Sequence, residues 1–163
     1  MQYTLMDLLR QAHIITGLKV LNAQEAIEEL SKALSETGHV EPEFADDVWK
    51  REKIYPTGLP TKPVAVAMPH ADPNHVKQSA MCVGVLKSPV EFGQMGTDGS
   101  VLLDVQLIFL LAIKEQEKQV QMIQQLVSLI QSSELLEALV KSESAEEAFA
   151  LIKAASMQVQ SRA

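Results

Sequence analysis

The side chains best suited to covalent chemistry near neutral pH are four histidines and one cysteine. His70 has the most specific setting, in Val64-Ala65-Val66-Ala67-Met68-Pro69-His70-Ala71-Asp72-Pro73. Val64 to Met68 reads as a short buried strand. Pro69 stops it, because proline has no N–H for a sheet ladder. The His70 imidazole is then expected at the mouth of a strand end. Asp72 and Pro73 are the residue types of a helix N-cap and first helical position. A histidine between two prolines has little backbone freedom, which suits an imidazole that must meet a partner in fixed geometry.

On the residues alone, three readings of His70 stay open. It could end a strand and make a structural hydrogen bond. It could join Asp72 and His75 as metal ligands of a hydrolase, although no second cluster stands out to complete such a site. It could be a phosphohistidine, since a neutral imidazole is a good nucleophile near pH 7. That chemistry needs positive charge or amide donors for the phosphoryl oxygens and little bulk nearby. Arg51, paired with Glu52, could supply the charge or could be a solvated surface ion pair. Ala67 and Ala71 would leave room for a shallow apolar rim. His13 and His39 have no polar constellation and are expected on the surface. Cys82 lies in the apolar run from Ala80 to Leu86 and reads as buried core.

A length of 163 residues predicts one domain. The apolar share of 47% and charged share of 21% are those of an ordinary globular protein. Aromatics are only 4%, so the core is expected to be aliphatic. The net charge of −7 argues against nucleic acid and anionic membrane surfaces as partners. One cysteine excludes an internal disulfide. No signal-peptide pattern opens the chain, and the longest apolar run, Leu107 to Ile113, is too short to cross a bilayer. A cytoplasmic protein is expected.

The elements that must position His70 read as follows. Tyr3 to His13 suggests a short helix or turn. Ile14-Ile15 and Leu18 to Leu21 are β-like. Asn22 and Glu25 have capping-box spacing ahead of a helix ended by Gly38. A second helix runs from Glu41 to about Glu52 with Phe44 and Val48 inward, followed by a loop over Tyr55 to Pro60. The central strand leads to His70. Ser79 to Leu86 is a strand broken by Ser88-Pro89, and Val90 to Phe92 is a short edge piece. Val101 to Ile113 is a long strand passing from half to fully buried. Glu115 to Gln131 is an amphipathic helix with a stripe of Val120, Ile123, Val127 and Ile130. Glu134 to Lys141 is a short helix, and Ser144 and Glu147 open a last one through Ala155, with a frayed tail over 157–163. Alternating helices and strands with some short connections predict an α/β sandwich around a mixed parallel and antiparallel sheet.

Taken in order, Arg51-Glu52, Pro56-Thr57-Gly58-Leu59 and Val64 to His70 resemble the IIA domain of the fructose/mannitol class in the phosphoenolpyruvate-dependent sugar phosphotransferase system. The resemblance continues through Val83-Gly84-Val85-Leu86, Pro89-Val90-Glu91-Phe92, the strand to Ile113 and the helix of Gln119 to Leu126, covering residues 20–152. Within the class it looks most like the galactitol-type proteins. It implies a mixed sheet flanked by helices and a phosphotransferase without cofactor or metal. His70 would take a phosphoryl group, through Nε2, from the histidine-containing phosphocarrier protein. It would pass it to a cysteine of a IIB domain, while a IIC membrane domain brings in galactitol or a related polyol. Arg51 matches the family's arginine near that site. Gln119 falls where mannitol- and fructose-type members often carry a second histidine; its amide can hydrogen-bond but cannot titrate. The same module could instead serve as a phosphorylation-dependent regulator uncoupled from transport.

Overall fold

The computed structural model describes residues 4–162, with side chains to residue 159. A 3-10 turn over Leu5–Asp7 leads into β1 (Leu9–Leu18), α1 (Ala23–Glu36), α2 (Phe44–Ile54), β2 (Gly58–Leu59) and β3 (Ala65–Ala67). A second 3-10 turn, Pro73–His75, precedes β4 (Ala80–Gly93), β5 (Leu102–Ala112), α3 (Gln116–Leu129), α4 (Ser133–Lys141) and α5 (Ala145–Arg162). The strands form one five-stranded mixed sheet in the order β1-β4-β5-β3-β2. β1 with β4 and β3 with β5 are parallel; β4 with β5 and β2 with β3 are antiparallel. The expected α/β sandwich with a mixed sheet is the fold.

Strand alternation divides the core into two layers. Met81, Val83, Val85, Leu107, Phe109 and Leu111 face α3, α4 and α5. Ala80, Cys82, Leu86, Val105, Ile108 and Leu110 face α1 and α2. Both sheet faces are covered, which is why the strands read as continuous apolar runs. Asn22 caps α1 by accepting the Glu25 N–H at 2.9 Å, and Ser132 caps α4 by accepting the Leu135 N–H at 3.2 Å. Gly38 follows α1 at φ 77°, the left-handed conformation glycine adopts without strain.

Several expectations are corrected. Tyr3 lies outside the described residues; beyond the first 3-10 turn, the segment expected to be helix or turn is strand β1, which ends at Leu18. The strand leading to His70 is not central: β5 is, and β3 lies next to the edge. Gly58-Leu59 is a short strand within the expected loop. Ser88-Pro89 does not end a strand; β4 runs on to Gly93 past a register shift between Val85 and Val90 that absorbs the missing proline N–H. On α3 the buried residues are Met122, Leu126 and Leu129, while Val120 is 63% exposed. Of the expected stripe, Ile130 is buried and Ile123 and Val127 pack half-buried against the same core, so Val120 is the member that lies outside it. α5 continues past Ala155 to Arg162 instead of unwinding at 157.

His13 and His39 are also not on the surface; both are buried. Once β1 begins at Leu9, His13 is carried inward to the C-terminal end of α1. There its Nε2 lies 2.8 Å from the Thr37 hydroxyl, which sits 2.9 Å from His39 Nδ1. The rings meet edge to face at 4.9 Å between centroids. Burial is the main cause that lowers the pKa of each.

Candidate functional site

Two parallel strands, β3 and β5, end side by side, and the chain leaves both at the same edge of the sheet. The Leu111 N–H donates to the Pro69 carbonyl at 3.0 Å, extending the ladder past the proline. His70 therefore follows a fixed backbone, and α3 starts close by. The carboxyl ends of strands in such sheets are where ligands approach. Gln119, in the first turns of α3, donates Nε2–H to the Ala71 carbonyl at 3.2 Å, tying that helix to the residue after His70.

His70 is 8% exposed. Its Nδ1 lies 2.8 Å from the Met68 carbonyl oxygen. A carbonyl only accepts, so Nδ1 carries the proton and Nε2 holds the free lone pair. Burial pushes the His70 pKa down against the Met68 hydrogen bond, and the Arg51 cation lowers it further. The imidazole is thus neutral at pH 7, with one nitrogen committed and the other available as a nucleophile.

Arg51 and Glu52 are not a solvated surface ion pair, since Glu52 is buried. Both lie in the last turn of α2 and point to different partners. The Arg51 guanidinium packs 5.1 Å from the centre of the Tyr55 ring, and its buried Nε has no hydrogen-bond partner. Glu52 is buried and accepts both the Thr57 N–H, at 2.8 Å, and the Thr57 hydroxyl, at 2.9 Å. The same hydroxyl accepts the Met68 N–H at 3.1 Å. Desolvation pushes the Glu52 carboxyl up to about 7, despite the two Thr57 hydrogen bonds and Arg51. Sequence reasoning did not assign Glu52 or Thr57 to the site. The available signal was a charged residue beside Arg51 and a hydroxyl in Pro56-Thr57-Gly58, both of which lie in the motifs that led to the resemblance.

Ala67 and Ala71, expected to leave room for an apolar rim, are both buried. The exposed apolar side chains next to site residues in the chain are Tyr55 and Ile54 beside Arg51, and Val120 beside Gln119. The proposed ligand set of His70, Asp72 and His75 does not converge. His75 turns away to hydrogen-bond Asp47 through Nδ1, and that carboxylate raises its pKa. Among the described residues, the group of three metal-capable side chains is His75 with Glu41 and Glu43, their donor atoms all within 4.8 Å of one another. Asp72 precedes the Pro73–His75 turn but makes no side-chain capping bond. Cys82 is buried and its thiol is pushed up to about 12, so it is inert packing. No helix among the described residues is long and apolar enough to cross a membrane.

This arrangement, a neutral buried imidazole with one free nitrogen near a cation, fits a group that is transiently covalent. Residues 7–155 match the family model described as phosphoenolpyruvate-dependent sugar phosphotransferase system, EIIA 2. The transcriptional regulator ManR of Bacillus subtilis (strain 168) is 35% identical over 92 residues, which is 56% of this chain and 12% of ManR. The galactitol-specific EIIA component of Escherichia coli (strain K12) is 24% identical over 125 residues, 77% of this chain and 82% of that protein. The crystal structure of IIA mannitol from Escherichia coli superimposes with a TM-score of 0.74 at 25% identity, over 88% of this chain and 98% of that one.

Proposed function

The chain belongs to the EIIA 2 family of the phosphoenolpyruvate-dependent sugar phosphotransferase system, whose components are phosphotransferases that relay phosphate through a histidine, and on that premise we propose that His70 is its phosphoryl acceptor. The observation that carries this reading is the His70 imidazole, with Nδ1 on the Met68 carbonyl and Nε2 free. Nε2 attacks phosphorus in line. A new N–P bond forms as the donor's N–P bond breaks, and its electron pair goes to the donor imidazole. The proton stays on Nδ1, donated to the Met68 carbonyl, throughout. Charge on the equatorial oxygens is met by the Arg51 guanidinium, whose Nε is unpartnered. Gln119 holds the backbone after His70 through Ala71 and keeps an amide near the transferred group.

The donor is the histidine-containing phosphocarrier protein, and the acceptor is a cysteine of a IIB component coupled to a IIC membrane domain. The exposed Tyr55 and Val120 would lie in the surface that both partners use in turn. A soluble cytoplasmic component fits this role. Galactitol or a related polyol is the sugar that the galactitol-specific relative suggests. The likeness to a transcriptional regulator supports a second reading, in which the same phosphohistidine controls a partner and no sugar follows.

The test is a relay assay with phosphoenolpyruvate, enzyme I and the phosphocarrier protein. A gain of one phosphoryl group, labile in acid and stable in base, in wild type but not in His70→Ala, is the expected result. Addition of IIB then separates the two readings: transport requires transfer to its cysteine, and regulation does not. A His70→Ala protein that still accepted the group would overturn the assignment.

A further inference from the structure

We propose that Glu52 and Thr57 are positioning residues for His70: together they clamp the Met68 peptide so that its carbonyl holds the imidazole in the tautomer that presents Nε2. The inference rests on the reading of His70 as phosphoryl acceptor. The contacts run without a gap. Thr57 gives its N–H to one Glu52 oxygen at 2.8 Å and its O–H to the other at 2.9 Å. Having donated its proton, the Thr57 oxygen keeps lone pairs, and one accepts the Met68 N–H at 3.1 Å. The carbonyl of the same residue accepts from His70 Nδ1 at 2.8 Å.

Burial makes these contacts hard to replace. Glu52, Thr57, Met68 and His70 are all buried, so no bulk water stands ready to substitute for a lost partner. A carboxylate in that setting is expensive, as the rise of its pKa to about 7 shows. An amide side chain could satisfy a threonine more cheaply. What ionised Glu52 adds is direction. A carboxylate only accepts, so the Thr57 O–H must point toward it and the hydroxyl lone pairs must face Met68. Protonation puts a donor on Glu52 and removes that one-way order. Glu52 also neighbours Arg51 at the same end of α2, so one helix end holds both the clamp and the cation whose charge acts on His70. The charges acting on the two groups are Arg51 on both, and Asp72 on His70.

The experiment pairs two readouts on full-length wild type, Thr57→Val, Thr57→Ser and Glu52→Gln. Nitrogen-15 NMR reads the His70 tautomer without any phosphoryl donor. The relay assay gives kcat/KM for phosphoryl acceptance across pH. Wild type is expected to show a single Nδ1–H tautomer. Thr57→Val should give a mixed population and lose roughly tenfold in kcat/KM, with both restored in Thr57→Ser. Glu52→Gln should remove one ionisation from the wild-type pH profile while its fold persists. If Thr57→Val retains one tautomer and wild-type kcat/KM, the clamp is overturned. A Glu52→Gln profile that superimposes on wild type also overturns it, and that variant decides the question if Thr57→Val does not fold. Wild type that takes no phosphoryl group overturns the acceptor reading, and the tautomer measurement then decides the clamp by itself.

Discussion

His70 Nδ1 and the Met68 carbonyl oxygen, two residues apart in sequence, lie 2.8 Å from each other on the inner side of the strand end. The contact spans Pro69, whose fixed φ holds the turn between them. It makes the imidazole one-sided, with one nitrogen bound inward and the other left for a partner.

His70 is expected to titrate below its ordinary value of 6.5, because burial disfavours the imidazolium. The nucleophile then stays uncharged as pH falls to 6.5, so the decline near pH 7 belongs to protonation of Glu52 and the loss caused by His70 itself should appear only below 6.5. A proton NMR titration of the His70 ring, set beside the rate profile, checks both. A midpoint above 6.5 would contradict the argument.

Replacing Arg51 by Gln should lower phosphoryl acceptance by about 10²–10³-fold, the cost of one preorganised charge donor. Thermal stability should change little, since the side chain is half-buried and its Nε is unpaired in the fold. The His70 midpoint should rise in the variant, because the cation that opposes imidazolium formation is gone. Lys at this position should recover the midpoint more fully than the rate, for it lacks the guanidinium fork.

The pH dependence of stability should carry two opposite contributions. Glu52 has a raised folded-state pKa, so the folded protein binds its proton more tightly. Its contribution is fully present below 4.5, falls as pH rises to about 7 and is then constant. The span corresponds to on the order of 3 kcal/mol. His13 and His39 have lowered values, so their contribution is present above 6.5 and is lost as pH falls. Denaturant melts of Glu52→Gln and His13→Leu across pH should therefore differ from wild type with opposite slopes. Parallel curves would contradict both assignments.

Gly58→Ala should destabilise the protein by about 1–3 kcal/mol. A Cβ there would lie 2.6 Å from the Gly93 carbonyl oxygen, which is backbone and cannot swing aside. The strain falls on the residue after Thr57, so the His70 tautomer should also become mixed. Gly17→Ala is the control for a glycine whose Cβ would meet nothing within 4 Å. It should destabilise through its φ of 63° while leaving the tautomer unchanged.

Much was legible from the residues. Strand patterning between Val64 and Ile113, the caps at Asn22 and Ser144, and the stop at Pro69 are local signals, and local backbone chemistry sets them. The apolar runs announced a sheet buried on both faces. His70 was identifiable because its constraint comes from its immediate neighbours. The Arg51, Thr57 and His70 motifs, in order, were enough to suggest the family.

Other features depended on contacts between segments far apart in sequence. The sheet face that α3 meets centred its buried side on Met122, Leu126 and Leu129, which left Val120 outside. His13 became a core residue because β1 pairs with β4 and carries it under α1. His75 left the expected metal set because Asp47, on α2, offered its ring a partner. The contacts of Glu52 with Thr57, and of Thr57 with Met68, emerged only when α2, Thr57 and the end of β3 were brought together. Sequence by itself singled out His70 as the side chain in the most constrained setting, because proline and strand patterning act along the chain. Tertiary structure alone decided which nitrogen of that side chain is free, because the hydrogen bonds that orient it and the burial that keeps it neutral depend on the packed fold.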